Sequence, residues 1–284
     1  MGLIRAPLNR YAGGRLTLTS GTPVTVSDVT GANAATLYYT PYLHNLVSLY
    51  TGVAWRAYTF AELSLSLSGY TIAKPYDVWL YDNAGTLTLD STVWTNTTTR
   101  ATAISQQDGT WVKSGDSTRL YLGTIYMQAT GQTEDSSSNR YVWNMYNRVV
   151  RSMHCVDTTN SWTYTTLTWR QANNSATNQV NYVNGLAGDG VVARVHTRVN
   201  NASGVVVAAG VGVDSTTTNS AQLGGIAAVG TATNCPAYYS GTPTGVGLHY
   251  LARLEISTAA GTTVWFGDYG SEYWLLGLSA EVMA

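Results

Sequence analysis

The nearest thing to a catalytic constellation in this sequence is a pair of carboxylates set among aromatic rings. In "WFGDYGSEYW", Asp268 and Glu272 stand beside Trp265, Tyr269, Tyr273 and Trp274. Glycoside hydrolysis needs two carboxyl groups, one acting as acid and the other as base or nucleophile, and the rings would give a sugar something to lie on. The same residues also make an ordinary loop at the end of a β domain. A second aromatic loop, "PAYYSGTP", supplies Tyr238 and Tyr239. Taken together, Tyr238, Tyr239, Trp265, Asp268, Tyr269, Glu272, Tyr273 and Trp274 read as a candidate surface for binding a glycan or receptor. No catalytic residue is assigned, and cleavage of a polysaccharide at Asp268 and Glu272 is the enzymatic alternative. The other acids read more plainly. Glu134 and Asp135 lie in a polar loop, "GQTEDSSSN", where solvation is their expected role. Asp82 sits in a turn, where Asp bonds its own backbone.

Metal and cofactor chemistry has little to work with. His44, His154, His196 and His249 have no ligand-type neighbour two or four residues on, and a lone His-Cys neighbour pair at His154-Cys155 is not a site. The motifs of serine hydrolases, zinc proteases, P-loops and dinucleotide folds are missing. No metal and no cofactor is expected. Cys155 and Cys235 are too few for a disulfide framework. Two buried or free thiols are expected, with one bridge as the alternative.

A third chemical feature is basic. "NRYVWNMYNRVVRSM", residues 139–153, holds Arg140, Arg148 and Arg151 among Tyr141, Trp143 and Tyr146, with no acid. Helical spacing and strand spacing both fit its apolar residues. Asn144 and Asn147 are poor inside helices, so a strand is expected. Arg148 and Arg151 then face opposite sides, and no single basic face forms. Arg140, Tyr141, Trp143, Tyr146 and Arg148 are of the types enriched at interfaces, and the arginines could pair with acids of another subunit.

These features must be positioned by strands. The chain has 284 residues, 20 Tyr, 9 Trp and 2 Phe, and only 11% of it is charged, against about a quarter in an ordinary globular protein. Thr, Val and Tyr favour strands, and Gly and Asn favour turns. The net charge is −1, without the clustered basic patch of a nucleic-acid binder. No window approaches the ~20 apolar residues of a spanning helix; the most apolar stretch, "GVVVAAGVGV", is too short. The N-terminus has no apolar core of a secretion signal, so synthesis in a cytosol is expected.

Alternation places the elements. "RLTLTSGTPVTVSDV" reads as two strands around "SGTP", with Leu16, Leu18, Val24 and Val26 on one face. "YDVWLYDNAGTLTLDS" and "QQDGTWVKSGDSTRLYLGTI" read as hairpins. "TFAELSLSLSG" reads as one helical turn, capped by Thr59 with Glu62 three residues on, feeding a strand. In "VVARVHTRVN", Val192, Arg194, His196 and Arg198 share one phase. "HYLARLEIS" is a strand, and 259–262 its hairpin turn. The expected architecture is all-β: a short irregular tail over residues 1–14, one antiparallel domain over 15–153 and a β-sandwich over 154–284.

Several of these stretches together resemble a family of tailed-bacteriophage and prophage structural proteins. They are "GGRLTLTSGTPVTVSDVTGANAATLYYTPY", "YDVWLYDNAG", "QDGTWVKSGDSTRLYLGTI", "TEDSSSNRYVWNMYNRVVR" and "SWTYTTLTWRQAN". The resemblance runs from about Gly13 to Ala284 and carries no catalytic residue. It implies a virion component made in a bacterial cytosol, oligomeric, with a homotrimer expected. Its partners would be other virion proteins, reached through the N-terminal tail, and a host-surface glycan or protein. The expected role is a tail fibre or tip. A head decoration bracing the capsid is the alternative, and a host-encoded lectin a more distant one.

Overall fold

The computed structural model describes residues 10–201, 203, 205–228, 231–270 and 274–284. The protein is all-β, and among the described residues its sheets are antiparallel apart from one short parallel pairing, Asn139–Arg140 against Asn181–Tyr182. Its only helical pieces among the described residues are single 3-10 turns at Gly31–Ala34 and Ala172–Asn174.

In the N-terminal half, strand Pro75–Asn83 pairs with Thr86–Val93 in the register Asn83↔Thr86. The two-residue turn between them, Ala84-Gly85, has φ of 51° and 96°, and a positive φ at both turn positions matches the twist of a hairpin. Asp116–Tyr126 lies on the other side of Pro75–Asn83 and continues the sheet through Thr110–Lys113 to Ile104–Gln107. A smaller sheet of Gly14–Thr17, Thr36–Pro41 and Leu63–Ser66 packs across it. Leu16, Leu37, Val47, Leu49, Val78, Leu80, Leu122 and Ile125 form the enclosed core. Each such side chain contributes roughly 1.5–3 kcal/mol by leaving water. Of the tail, residues 1–9 lie outside the described residues; Tyr11 and Gly13 bond the backbone of strand Leu46–Tyr50.

The C-terminal half is a sandwich. One sheet runs Gln179–Asn184, Gly247–Ser257, Val206–Val213; the facing sheet runs Val150–Val156, Gly277–Met283, Val191–His196, Ala237–Gly241. Val180, Val207, Val211 and Leu251 from the first interdigitate with Met153, Val191, Val195, Leu278 and Val282 from the second, as period-2 alternation requires. Strand Val150–Val156 spans residue 153 and pairs along its whole length with Gly277–Met283. A third cluster, Trp79, Tyr121, Tyr126, Tyr141, Trp143 and Val183, joins the two halves.

Four sequence expectations are corrected. Residues 23–29 do not form a strand, and Val26 is 94% exposed. There the Thr17 hydroxyl bonds the Thr22 carbonyl and the Thr25 hydroxyl, a local network that replaces a ladder. No helical turn forms at 59–62. Glu62 instead accepts bonds from the Ser20 hydroxyl, the Gly21 N–H and the Thr40 hydroxyl at 2.5–2.6 Å, and so braces a distant turn. Residues 259–262 do not close a hairpin, because Gly247–Ser257 and Thr263–Phe266 belong to different sheets. Asp135 is buried rather than solvated.

The basic segment is stranded at Asn139–Arg140, Val142–Asn144 and Val150–Val156. Asn147, at φ 57°, turns the chain between the last two. Arg148 therefore lies in the turn rather than opposite Arg151 on a strand. Arg140 and Arg151 converge on the two oxygens of Asp135 at 2.8 and 3.0 Å. Arg148 binds Asp189 at 2.5 Å, and the same carboxylate accepts from the Trp143 indole at 2.9 Å. The acids that answer these arginines are thus in the same chain. Tyr141 and Trp143 are buried at the junction of the two halves, and Tyr146 packs on the N-terminal core. Cys155 and Cys235 are both buried, and the Cys235 thiol donates to the Gly225 carbonyl at 2.9 Å.

Candidate functional site

One strand line decides where the candidate aromatics go. Val191–His196 belongs to the outer sheet of the sandwich, and Arg198–Asn201 continues it into a second sheet with Thr263–Phe266 and Thr233–Asn234. Val191, Ala193, Val195, Thr197, Val199 and Asn201 are buried along it. In the opposite phase Arg194 and His196 are exposed and Val192, Arg198 and Asn200 half-buried. Arg194 and Arg198 are therefore about 13 Å apart on one face, at ~3.3 Å per residue.

Cross-strand register brings the aromatics to the two ends of this line. Tyr238 is opposite Arg194, with the guanidinium 5.9 Å from its ring. Arg194 also pairs with Glu281 at 3.0 Å. Phe266 is opposite Arg198. Trp274 stacks on Tyr269 with centroids 4.6 Å apart, and Phe266 meets Trp274 edge-on at 5.4 Å. The Arg198 guanidinium lies 4.4 Å from the Trp274 ring, within cation–π range. Two grooves adjoin the line. One, of about 370 Å³, is lined by Arg194, His196, Leu223, Pro236 and Tyr238. The next, of about 220 Å³, shares His196 and Pro236 and is lined also by Thr197, Asn234 and Leu276.

A buried arginine fixes this geometry from beneath. Arg253 donates Nε to the Thr197 hydroxyl at 2.9 Å, Nη2 to the Phe266 carbonyl at 3.1 Å and Nη1 to the Leu276 carbonyl at 3.5 Å. Those acceptors belong to the strand line, the strand end bearing Phe266 and the segment after Trp274. Burial holds the Arg253 guanidinium below its usual range, against the attraction of Glu255 and Asp157. Burial likewise pushes Glu255 up, opposed by the Trp162 indole and by Arg170.

The candidate residues thus divide. Tyr238, Tyr269 and Trp274 share the outward face. Tyr239, one residue on from Tyr238, packs against the sandwich core. Trp265 is 0% exposed, and its indole bonds the Tyr164 carbonyl at 3.0 Å; it is a core residue, because the phase that turns Phe266 outward turns Trp265 in. Asp268 accepts from the Gly270 N–H at 3.3 Å and so closes its own turn. Glu272 and Tyr273 lie outside the described residues, and with them the expected carboxylate pair. The residues missing from the sequence reading are Arg194, His196, Arg198 and Arg253. The first three stood in one phase of "VVARVHTR", an unusual density of basic residues for so lightly charged a chain. Among the described residues no group of three His, Cys, Asp or Glu side chains is placed to hold a metal ion, and no helix is long and apolar enough to cross a membrane.

No protein-family model matches the chain, and no curated protein matches it. Among solved structures it is similar to the insecticidal delta-endotoxin Cry8Ea1 from Bacillus thuringiensis, with 9% identity over 91% of this chain and 51% of that one, and a TM-score of 0.26. It is similar in the same way to the mosquito-larvicidal Cry4Aa toxin from Bacillus thuringiensis, with 8% identity over 88% and 49% and a TM-score of 0.25. The chain spans about half the length of these two structures. At such scores the likeness carries no argument about fold or activity.

Proposed function

We propose that the protein is a structural component of a tailed-bacteriophage particle, a tail fibre or tip that attaches to the host surface. It assembles as a homotrimer, joins other virion proteins through its first residues and presents its C-terminal sandwich outward. The observation that carries this reading is the strand line 191–201. It gathers Tyr238 at one end and Phe266, Tyr269 and Trp274 at the other onto one exposed sheet face, braced by Arg253. Exposed aromatic rings with polar edges are what recognition surfaces use. The resemblance of "GGRLTLTSGTP", "YDVWLYDNAG" and "SWTYTTLTWRQAN" to phage structural proteins supports the virion setting. Cleavage of a polysaccharide is disfavoured by Asp268, whose carboxylate is engaged in its own turn.

Electron microscopy of particles labelled with an antibody against residues 154–284 tests the reading. Label confined to the tail end is the expected result. Label over the whole head would replace attachment with capsid bracing.

A further inference from the structure

We infer that the outward face of strand line 191–201 takes an acidic saccharide chain, with a carboxylate or phosphate group held by Arg198 and sugar rings laid on Trp274 and Tyr269. The inference rests on the host-attachment reading and adds the chemistry of the ligand.

The first observation is a half-buried cation whose side chain meets no acceptor among the described residues, whereas Arg15 and Arg253, also without a carboxylate, spend their donors on carbonyl and hydroxyl oxygens. Arg100, Arg119, Arg140, Arg148, Arg151, Arg170 and Arg194 each meet a carboxylate within 3.0 Å. Arg198 has no such ion pair among the described residues. Its Nε–H is buried with no hydrogen-bond partner, although its guanidinium carbon lies 4.4 Å from the Trp274 ring centroid. A buried donor without an acceptor is costly. The planar fork beside it matches a carboxylate or phosphate oxygen pair. An anionic group on the ligand would reach the two Nη groups, which are not among the buried atoms, rather than the Nε–H itself. Asp268, two residues on from the Phe266 that faces Arg198, is engaged with the Gly270 N–H. His196 stands between the two arginines and lines both grooves.

The second observation is shape. The two adjoining grooves share His196 and Pro236; Arg194 and Tyr238 line one, and Leu276, two residues from Trp274, lines the other. Neighbouring grooves between Tyr238 and the Trp274 segment fit a linear chain better than a compact molecule. Tyr269, 54% exposed, and Trp274 form a stacked apolar plate beside Arg198. A sugar ring offers such a plate its C–H face while its charged substituent reaches the guanidinium. Tyr238 and the 67% exposed Leu223 repeat the apolar element at the far end.

Titration calorimetry of the full chain decides the matter, using polygalacturonate, its fully methyl-esterified form and poly(glycerol phosphate) as probes at low and high salt. The expected result is binding to an acidic polymer, about tenfold or more tighter than to the ester, as a charge-assisted bond implies, and weakened by salt. Arg198→Gln abolishes that preference with the thermal midpoint unchanged, and Trp274→Ala weakens all binding. Which acidic polymer binds distinguishes a carboxylate from a phosphate ligand. Equal affinity for acid and ester would overturn the inference, as would retention of the preference in both Arg198→Gln and Arg198→Ala. Binding to none of the three polymers would also overturn it. In each of those cases tail-end labelling of particles would leave the attachment reading standing.

Discussion

Arg100, rooted in the N-terminal half, donates to the Gly185 carbonyl of the C-terminal half at 2.6 Å. The same guanidinium holds Asp77 at 2.7 and 3.2 Å and the Tyr121 hydroxyl at 3.0 Å, and lies 4.4 Å from the Trp94 ring. Asp77 is buried, and burial pushes its carboxyl up while Arg100 and Thr124 hold it down. One side chain therefore neutralises a buried acid and ties the two halves together. Arg100→Met leaves Asp77 uncompensated. The expected loss is about 3–5 kcal/mol, read by denaturant unfolding, and an unchanged midpoint would show the contact to be dispensable.

Gly185 itself has no room for a side chain. An added Cβ would run into the Tyr121 hydroxyl and lie 2.7 Å from Thr124 Oγ1 and from the Trp143 ring. Gly185→Ala is expected to cost roughly 1–3 kcal/mol by overpacking. Pairing it with Tyr121→Phe, which removes the nearest atom, should return part of that loss in a double-mutant cycle.

Arg253 offers a test of positioning. Thr197→Val keeps the shape but removes the acceptor of the Arg253 Nε–H, and about 1–3 kcal/mol should be lost. Arg253→Lys keeps the charge and loses the fork that reaches Thr197, Phe266 and Leu276 together. The near-ultraviolet circular dichroism of the Trp274–Tyr269 stack should fall in that variant while the far-ultraviolet strand signal persists.

Alkaline stability should carry the mark of Cys155. Burial raises its thiol from the ordinary 9.0 to about 11. The unfolded chain gives up this proton first, so the contribution is full below pH 9 and fades as the pH climbs through about 11. A shift of this size is worth about 3 kcal/mol. The stability difference between the wild type and Cys155→Ala should therefore narrow by about that amount as pH rises across this range. A constant difference would place the thiol in a wetter setting.

What the sequence made legible was local. The Pro75–Asn83 hairpin rests on alternation and on a turn written in consecutive residues, so its pattern shows directly. The segment 23–29 alternates equally well, yet Thr17, Thr22 and Thr25 bond one another before a ladder can form. The convergence of Arg140 and Arg151 on Asp135 was hidden because it depends on segments whose meeting no local pattern encodes. The aromatic loops were visible as composition, but composition carries no phase, and Trp265 was grouped with Tyr269 although it points into the core. That Tyr238 and Trp274 lie on one face follows only from the long-range register of 191–201 against 237–241 and 263–266.

The strand line 191–201 splits its residues by parity. Odd positions build the interior, and even positions meet the outside world. Change at 192, 194 or 196 alters what the surface greets while leaving the scaffold's interior untouched, whereas 198 and 200 keep part of each side chain buried. A lineage pressed to follow a shifting target could rewrite three letters on a fixed page, with Arg253 keeping that page flat beneath them.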